Sequence, residues 1–96
     1  MITVKRNNDG LTITGHAGFA DSGQDIVCAG VSAIVQTLIQ SVEDLTVDAI
    51  DYTMQPGFVD IKFCTMSGDS QVLFDSAMIG LQMIADAHPH NVTIEK

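Results

Sequence analysis

Thr14-Gly15-His16-Ala17-Gly18-Phe19-Ala20-Asp21-Ser22-Gly23-Gln24-Asp25-Ile26-Val27-Cys28 is the stretch on which the fold turns. Before it the chain alternates with period two: Leu11, Ile13 and Gly15 fall on one face, as in a strand. After it the apolar residues recur at helical spacing. Asp25 is a good N-cap, and Ile26–Leu45 reads as a helix of about 20 residues. Residues 17–24, with Gly18, Ser22 and Gly23, read as the loop between the two periods.

Upstream, Ile2–Lys5 alternates and Asn7-Asn8-Asp9-Gly10 is a turn signal, so the chain opens as a β-hairpin ending at His16. In the helix, Val27, Val31, Ile34, Val35, Leu38, Val42 and Leu45 form one stripe, with Ile26, Ala33 and Ile39 off it. No charge occurs from Ile26 to Val42, which predicts a helix covered on more than one side, in part by another subunit. Ala49–Met54 and Phe58–Cys64 read as strands joined by the Gln55-Pro56-Gly57 turn. Ser67-Gly68-Asp69-Ser70 opens a second helix, about Gln71–Ala87, with Phe74, Met78, Leu81 and Ala85 inward; Pro89 stops it, and Asn91–Glu95 is a last strand. The order ββ-α-ββ-α-β predicts a single domain over residues 1–96. Its fold class is α+β, a two-layer sandwich with a mostly antiparallel sheet and two helices.

Composition narrows the function classes. Twelve acids against four bases give a net charge of −8, and Lys5, Arg6, Lys62 and Lys96 are the only bases. Phosphate-directed nucleic-acid binding needs clustered Lys and Arg, so no direct nucleic-acid contact is expected. The balance suits a basic partner, or serves only solubility. The N-terminus lacks the pattern of a signal peptide. The apolar run around Ile26–Val42 is interrupted by Ser32, Gln36, Thr37, Gln40 and Ser41, which argues against a membrane span. Two cysteines, Cys28 and Cys64, fit a reduced cytoplasmic protein better than a disulfide framework. With 46% apolar residues and no Trp, the core is expected to be aliphatic, with Met54, Met66, Met78 and Met83 as filling.

Cys28 is the third residue of the first helix, where backbone N–H groups and the positive end of the helix dipole stabilise a thiolate. The alternative is a small buried hydrophobe. His16 ends a strand between Gly15 and Ala17, which leave room around the ring. A histidine near a thiol takes its proton and holds an imidazolium beside the thiolate; the alternative is a packing histidine. Eleven intervening residues suffice to bring the two together. Asp25 caps the helix or orients His16. Ser32, one turn beyond Cys28, either hydrogen-bonds near the thiol or back-bonds within its helix. The N–H groups of residues 23–28 are candidates for an oxyanion hole. Cys64 reads as a packed strand cysteine. His88-Pro89-His90 is a pair without a third ligand and reads as the loop before the last strand; no metal or cofactor is expected.

Gly15-His16-Ala17, followed by Gly23-x-Asp25-Ile26-Val27-Cys28-Ala29-x-Val31-Ser32, resembles the Prp family of ribosomal-processing cysteine proteases. The likeness continues through Pro56-Gly57 and through Gly80-Leu81, Ile84-Ala85 and Pro89. It implies a bacterial cytoplasmic homodimer. Such an enzyme removes a short N-terminal extension from one ribosomal protein, number twenty-seven of the large subunit, with a His/Cys pair at positions matching His16 and Cys28. It also implies that the loop over residues 17–24, with Gly18 and Gly23, gates the substrate. Gly30 stands where an alanine is common, which would open space beside the thiol; His88 stands where an aromatic is common. A rival reading from a different class is a non-catalytic dimeric binding module in ribosome assembly.

Overall fold

The computed structural model describes residues 1–15 and 26–95. The elements are β1 (Ile2–Arg6), β2 (Gly10–Thr14), α1 (Ile26–Leu45), β3 (Ile50–Gln55), β4 (Phe58–Phe63), α2 (Gly68–Ala87) and β5 (Val92–Glu95). They form one five-stranded sheet in the order β3-β4-β2-β1-β5. All neighbours are antiparallel except β1 and β5, which run parallel. The mostly antiparallel α+β sandwich expected from the sequence is the observed fold.

One sheet face is apolar and the other polar, as alternation requires. Ile2, Val4, Leu11, Ile13, Ile61, Phe63 and Val92 are buried and join the helix residues in a single core cluster. Thr3, Lys5, Thr12, Thr14, Asp60 and Lys62 occupy the opposite face and are exposed or half-buried. Because both crossovers return over the apolar face, α1 and α2 pack there side by side, α1 against β3 and α2 against β5.

In α1 the buried residues are Val27, Val31, Val35, Leu38, Ile39 and Val42. Each fully buried aliphatic side chain contributes about 1.5–3 kcal/mol of transfer free energy. Ile39, expected off the stripe, follows Val35 by one turn and is buried; Leu45, expected on it, ends the helix and is 68% exposed. By length and composition α1 could cross a membrane, but this face is part of the core. Its outer side, with Ile26, Ala29, Ala33, Gln36 and Gln40, is left open by the single chain. Of the four methionines expected as core filling, two are core and two are not. Met78 is buried and Met66 packs against the core, but Met54 lies on an edge strand and Met83 on the outer side of α2, two residues from buried Leu81.

Helix α2 starts at an N-cap, Ser67, whose hydroxyl accepts from the Ser70 N–H at 3.4 Å. Asp48 accepts from the Ser67 N–H at 2.8 Å and from its hydroxyl at 2.6 Å, and those bonds hold the Asp48 carboxyl below its usual range. The helix ends where the His88 N–H reaches the Ile84 carbonyl at 2.8 Å. Arg6 ties β1 to α2: it donates to Asp75 at 2.9 Å and its guanidinium lies 4.9 Å from the centre of the Phe74 ring. Phe74 in turn meets Phe63 edge-on at 5.6 Å.

Gly15 closes the hairpin strand with φ 93°, donating its N–H to the Gly57 carbonyl at 2.9 Å. A Cβ here would strike the Met1 carbonyl oxygen, and the left-handed backbone alone disfavours any other residue. Gly15→Ala should therefore lower stability by at least about 2 kcal/mol, read as a lower urea midpoint at unchanged slope.

Candidate active site

Cys28 lies in the first turn of α1, half-buried and packed against the core cluster. Its place relative to the sheet follows from the helix crossing. A Cβ on Gly30 would lie 3.3 Å from the Ile84 side chain, and one on Gly80 would lie 3.0 Å from that of Ile34. The start of α1 is thus pinned to the last turns of α2. Those turns lead through the His88 cap to Asn91, whose carbonyl accepts the Ile2 N–H at 2.8 Å. Met1, Gly15, Gly57 and the start of α1 therefore share one end of the sheet. A side chain at Gly30 would press on Ile84, so the glycine there serves the close approach of the two helices.

The dipole of a twenty-residue helix points its positive end at this corner, with Cys28 in the first turn. The first turn contains no acidic residue to oppose a thiolate. Ser32, one turn on, is half-buried beside the same face. His16, Asp25, Gly18 and Gly23 lie outside the described residues, as does the loop over residues 17–24. The end of β2 and the start of α1 that flank them stand at the same end of the sheet.

Cys64 does not behave as a packed strand cysteine. It is exposed just past β4, and its thiol donates to the Asp51 carboxylate at 3.4 Å. That hydrogen bond, with desolvation and the Asp51 charge behind it, pushes the Cys64 thiol up from its ordinary value; nearby Lys62 opposes this weakly. Neither cysteine is in a disulfide. Among the described residues no group of three or more His, Cys, Asp and Glu is placed to hold a metal ion.

On β3, the strand against which α1 packs, stands a feature that the sequence reading missed. Tyr52 and Met54 of β3 project to the helix-facing side, opposite Ile61 and Val59, and are 50% and 38% exposed. The alternation Ile50-x-Tyr52-x-Met54 carries the signal, but nothing in it says that β3 is an edge.

A family model described as Cysteine protease Prp matches residues 1–93. The ribosomal processing cysteine protease Prp of Mycoplasma genitalium is 27% identical over 96 residues, covering 100% of this chain and 96% of that protein. Its namesake in Staphylococcus aureus is 29% identical over 103 residues, covering 98% and 97%. A crystal structure of the S. aureus protease with a covalently linked product peptide superposes with a TM-score of 0.91 at 27% identity, over 99% of this chain and 98% of that one. A crystal structure of SMU.848 from Streptococcus mutans superposes at 0.81 with 28% identity, over 98% and 90%.

The two thiols make a testable contrast. At pH 8 Cys64 should alkylate more slowly than an unstructured cysteine, because less of it is thiolate. Asp51→Asn should speed that reaction, followed by mass spectrometry of the labelled Cys64 peptide.

Proposed function

Because the chain belongs to the cysteine protease Prp family, a family of ribosomal-processing cysteine proteases, we propose that it removes the N-terminal extension of ribosomal protein twenty-seven of the large subunit. The observation that carries this reading is the position of Cys28, in the first turn of a helix that superposes as part of a whole-chain match to a protease holding a covalent product peptide.

In the proposed reaction His16 takes the Cys28 proton and the thiolate attacks the scissile carbonyl. The positive end of α1 stabilises first the thiolate and then the oxyanion. Collapse of the tetrahedral intermediate expels the amine, to which the His16 imidazolium gives its proton, leaving a thioester. Water, deprotonated by His16, then releases the acid and restores the thiol. Asp25 and Ser32 assist by capping α1 and by hydrogen-bonding near the thiol, and Gly18 and Gly23 allow the intervening loop to gate the substrate. No metal or cofactor takes part. The net charge of −8 favours a basic substrate such as a ribosomal protein.

The protein is proposed to act in the cytoplasm as a homodimer. The open side of α1 supports this: between α1 and α2 runs a mostly apolar groove lined by Ala33, Ile34, Leu38, Leu73, Ala77 and Gly80.

A synthetic peptide spanning the extension junction should be cut by the wild-type chain. Cys28→Ala and His16→Ala should each reduce kcat by at least about a thousandfold, because the two side chains act as a unit. Undiminished cleavage by Cys28→Ala would end the reading. Sedimentation velocity at micromolar concentration should show a dimer; a stable monomer would remove the assembly.

A further inference from the structure

Strand β3 is an edge of the sheet, and its outer side is unusually bare. Gln55 and Phe58 flank the two-residue Pro56-Gly57 turn as a hydrogen-bonded pair, and the Cys64 N–H bonds the Ala49 carbonyl at 3.0 Å in the same phase. Asp51 and Thr53 therefore direct their backbone groups at β4, while Ile50, Tyr52 and Met54 direct theirs away from the sheet. Among the described residues nothing hydrogen-bonds to those outward groups. Exposed edges are ordinarily blunted by Lys, Pro, bulges or brevity. Over its six residues β3 has no Lys and no Pro, and its single charge, Asp51, projects to the face opposite the helices. The other edge, β5, has four residues.

We infer that this edge is where the polypeptide substrate binds, as an added sixth strand that lines up along β3 and leads into Cys28. The inference rests on the protease reading above. The continuity is topological. Met54 lies at the Gly15–Gly57 end of the sheet, α1 packs beside β3, and the first turn of α1 carries Cys28 at that same end. The occupant is an extended segment with apolar side chains at alternate positions, since one face of an added strand would cover Tyr52 and Met54. Its backbone would pair with the Tyr52 and Met54 N–H and C=O groups, giving affinity without regard to sequence, and the apolar shelf would select side chains. At the far end of β3 the chain from Glu43 to Asp51 carries Glu43, Asp44, Asp48 and Asp51 and no base. Basic residues on the part of the substrate most distant from the scissile bond are therefore favoured.

Amide exchange by NMR tests this on the full chain as Cys28→Ser, with the junction peptide added to saturation. Exchange at Tyr52 and Met54 should slow by about tenfold or more, the factor one added hydrogen bond provides, while Asp51 and Thr53 stay as they were. Peptide bound with Tyr52 and Met54 exchanging as before would overturn the inference. A second measurement uses Tyr52→Pro in the active enzyme, which deletes one outward N–H and leaves the bonds to β4. KM should rise about tenfold with kcat little changed; an unchanged KM overturns strand addition. If wild type cuts the peptide but the edge amides stay unprotected, strand addition alone fails. If wild type neither binds nor cuts it, the protease reading fails as well.

Discussion

The close crossing of α1 and α2 is the contact on which the site depends. Gly30 receives Ile84, and Gly80 receives Ile34, so each helix presents a bare stretch of backbone to a branched side chain of the other. Contacts this near fix the rotation of both helices. They turn Val27, Val31, Val35 and Val42 onto the sheet and leave Cys28 on the boundary between core and solvent. A thiol fully inside would be inert, and one fully outside would sit away from the helix axis on which the dipole acts. The Gly30 position therefore sets the placement of the thiol by controlling packing two residues away.

Element identity was legible because the two periods are clean. Ile26–Leu45 was readable to the residue, since no proline, glycine pair or charge interrupts the run before Glu43 and the sequence places Asp25, a residue type favoured at helix N-caps, just before it. The hairpins were announced by Asp9-Gly10 and Pro56-Gly57. Strand order was not legible. Nothing local says that β4 inserts between β3 and β2, or that β5 pairs parallel with β1, because those are choices made by long-range burial. The errors over Met54 and Cys64 share that cause: each was read as interior because its strand is apolar, and each is exposed because its strand lies at, or ends near, the edge. Leu45 and Met83 fail for a similar reason, one by lying at a helix end and the other by lying on the outer side of α2.

For the site, sequence spacing was enough to put Cys28 in the first turn of α1. It was not enough to show which strand packs against that helix. The shelf formed by Tyr52 and Met54 comes into being only when the chain between α1 and β3 turns back and lays β3 alongside the helix. A strand about 25 positions on in the sequence thus comes to pack against the helix that carries Cys28, and no motif encodes that.

The two cysteines show how finely local charge separates chemistry within one small domain. Cys64 is the more exposed thiol, yet a carboxylate accepts its proton's hydrogen bond and holds it in the unreactive form. Cys28 is less exposed but lies where the aligned peptide dipoles of α1 favour negative charge, with no acid in that turn to cancel them. An acidic protein would otherwise suppress every thiolate it carries, since a net charge of −8 raises the cost of one more anion anywhere on its surface. A helix terminus at the sheet's end offsets that general penalty at one position, and the acids that Glu43, Asp44 and Asp48 contribute are gathered at the opposite end of α1. The long axis of that helix separates these acids, which would attract a basic substrate, from the thiolate they would otherwise disfavour.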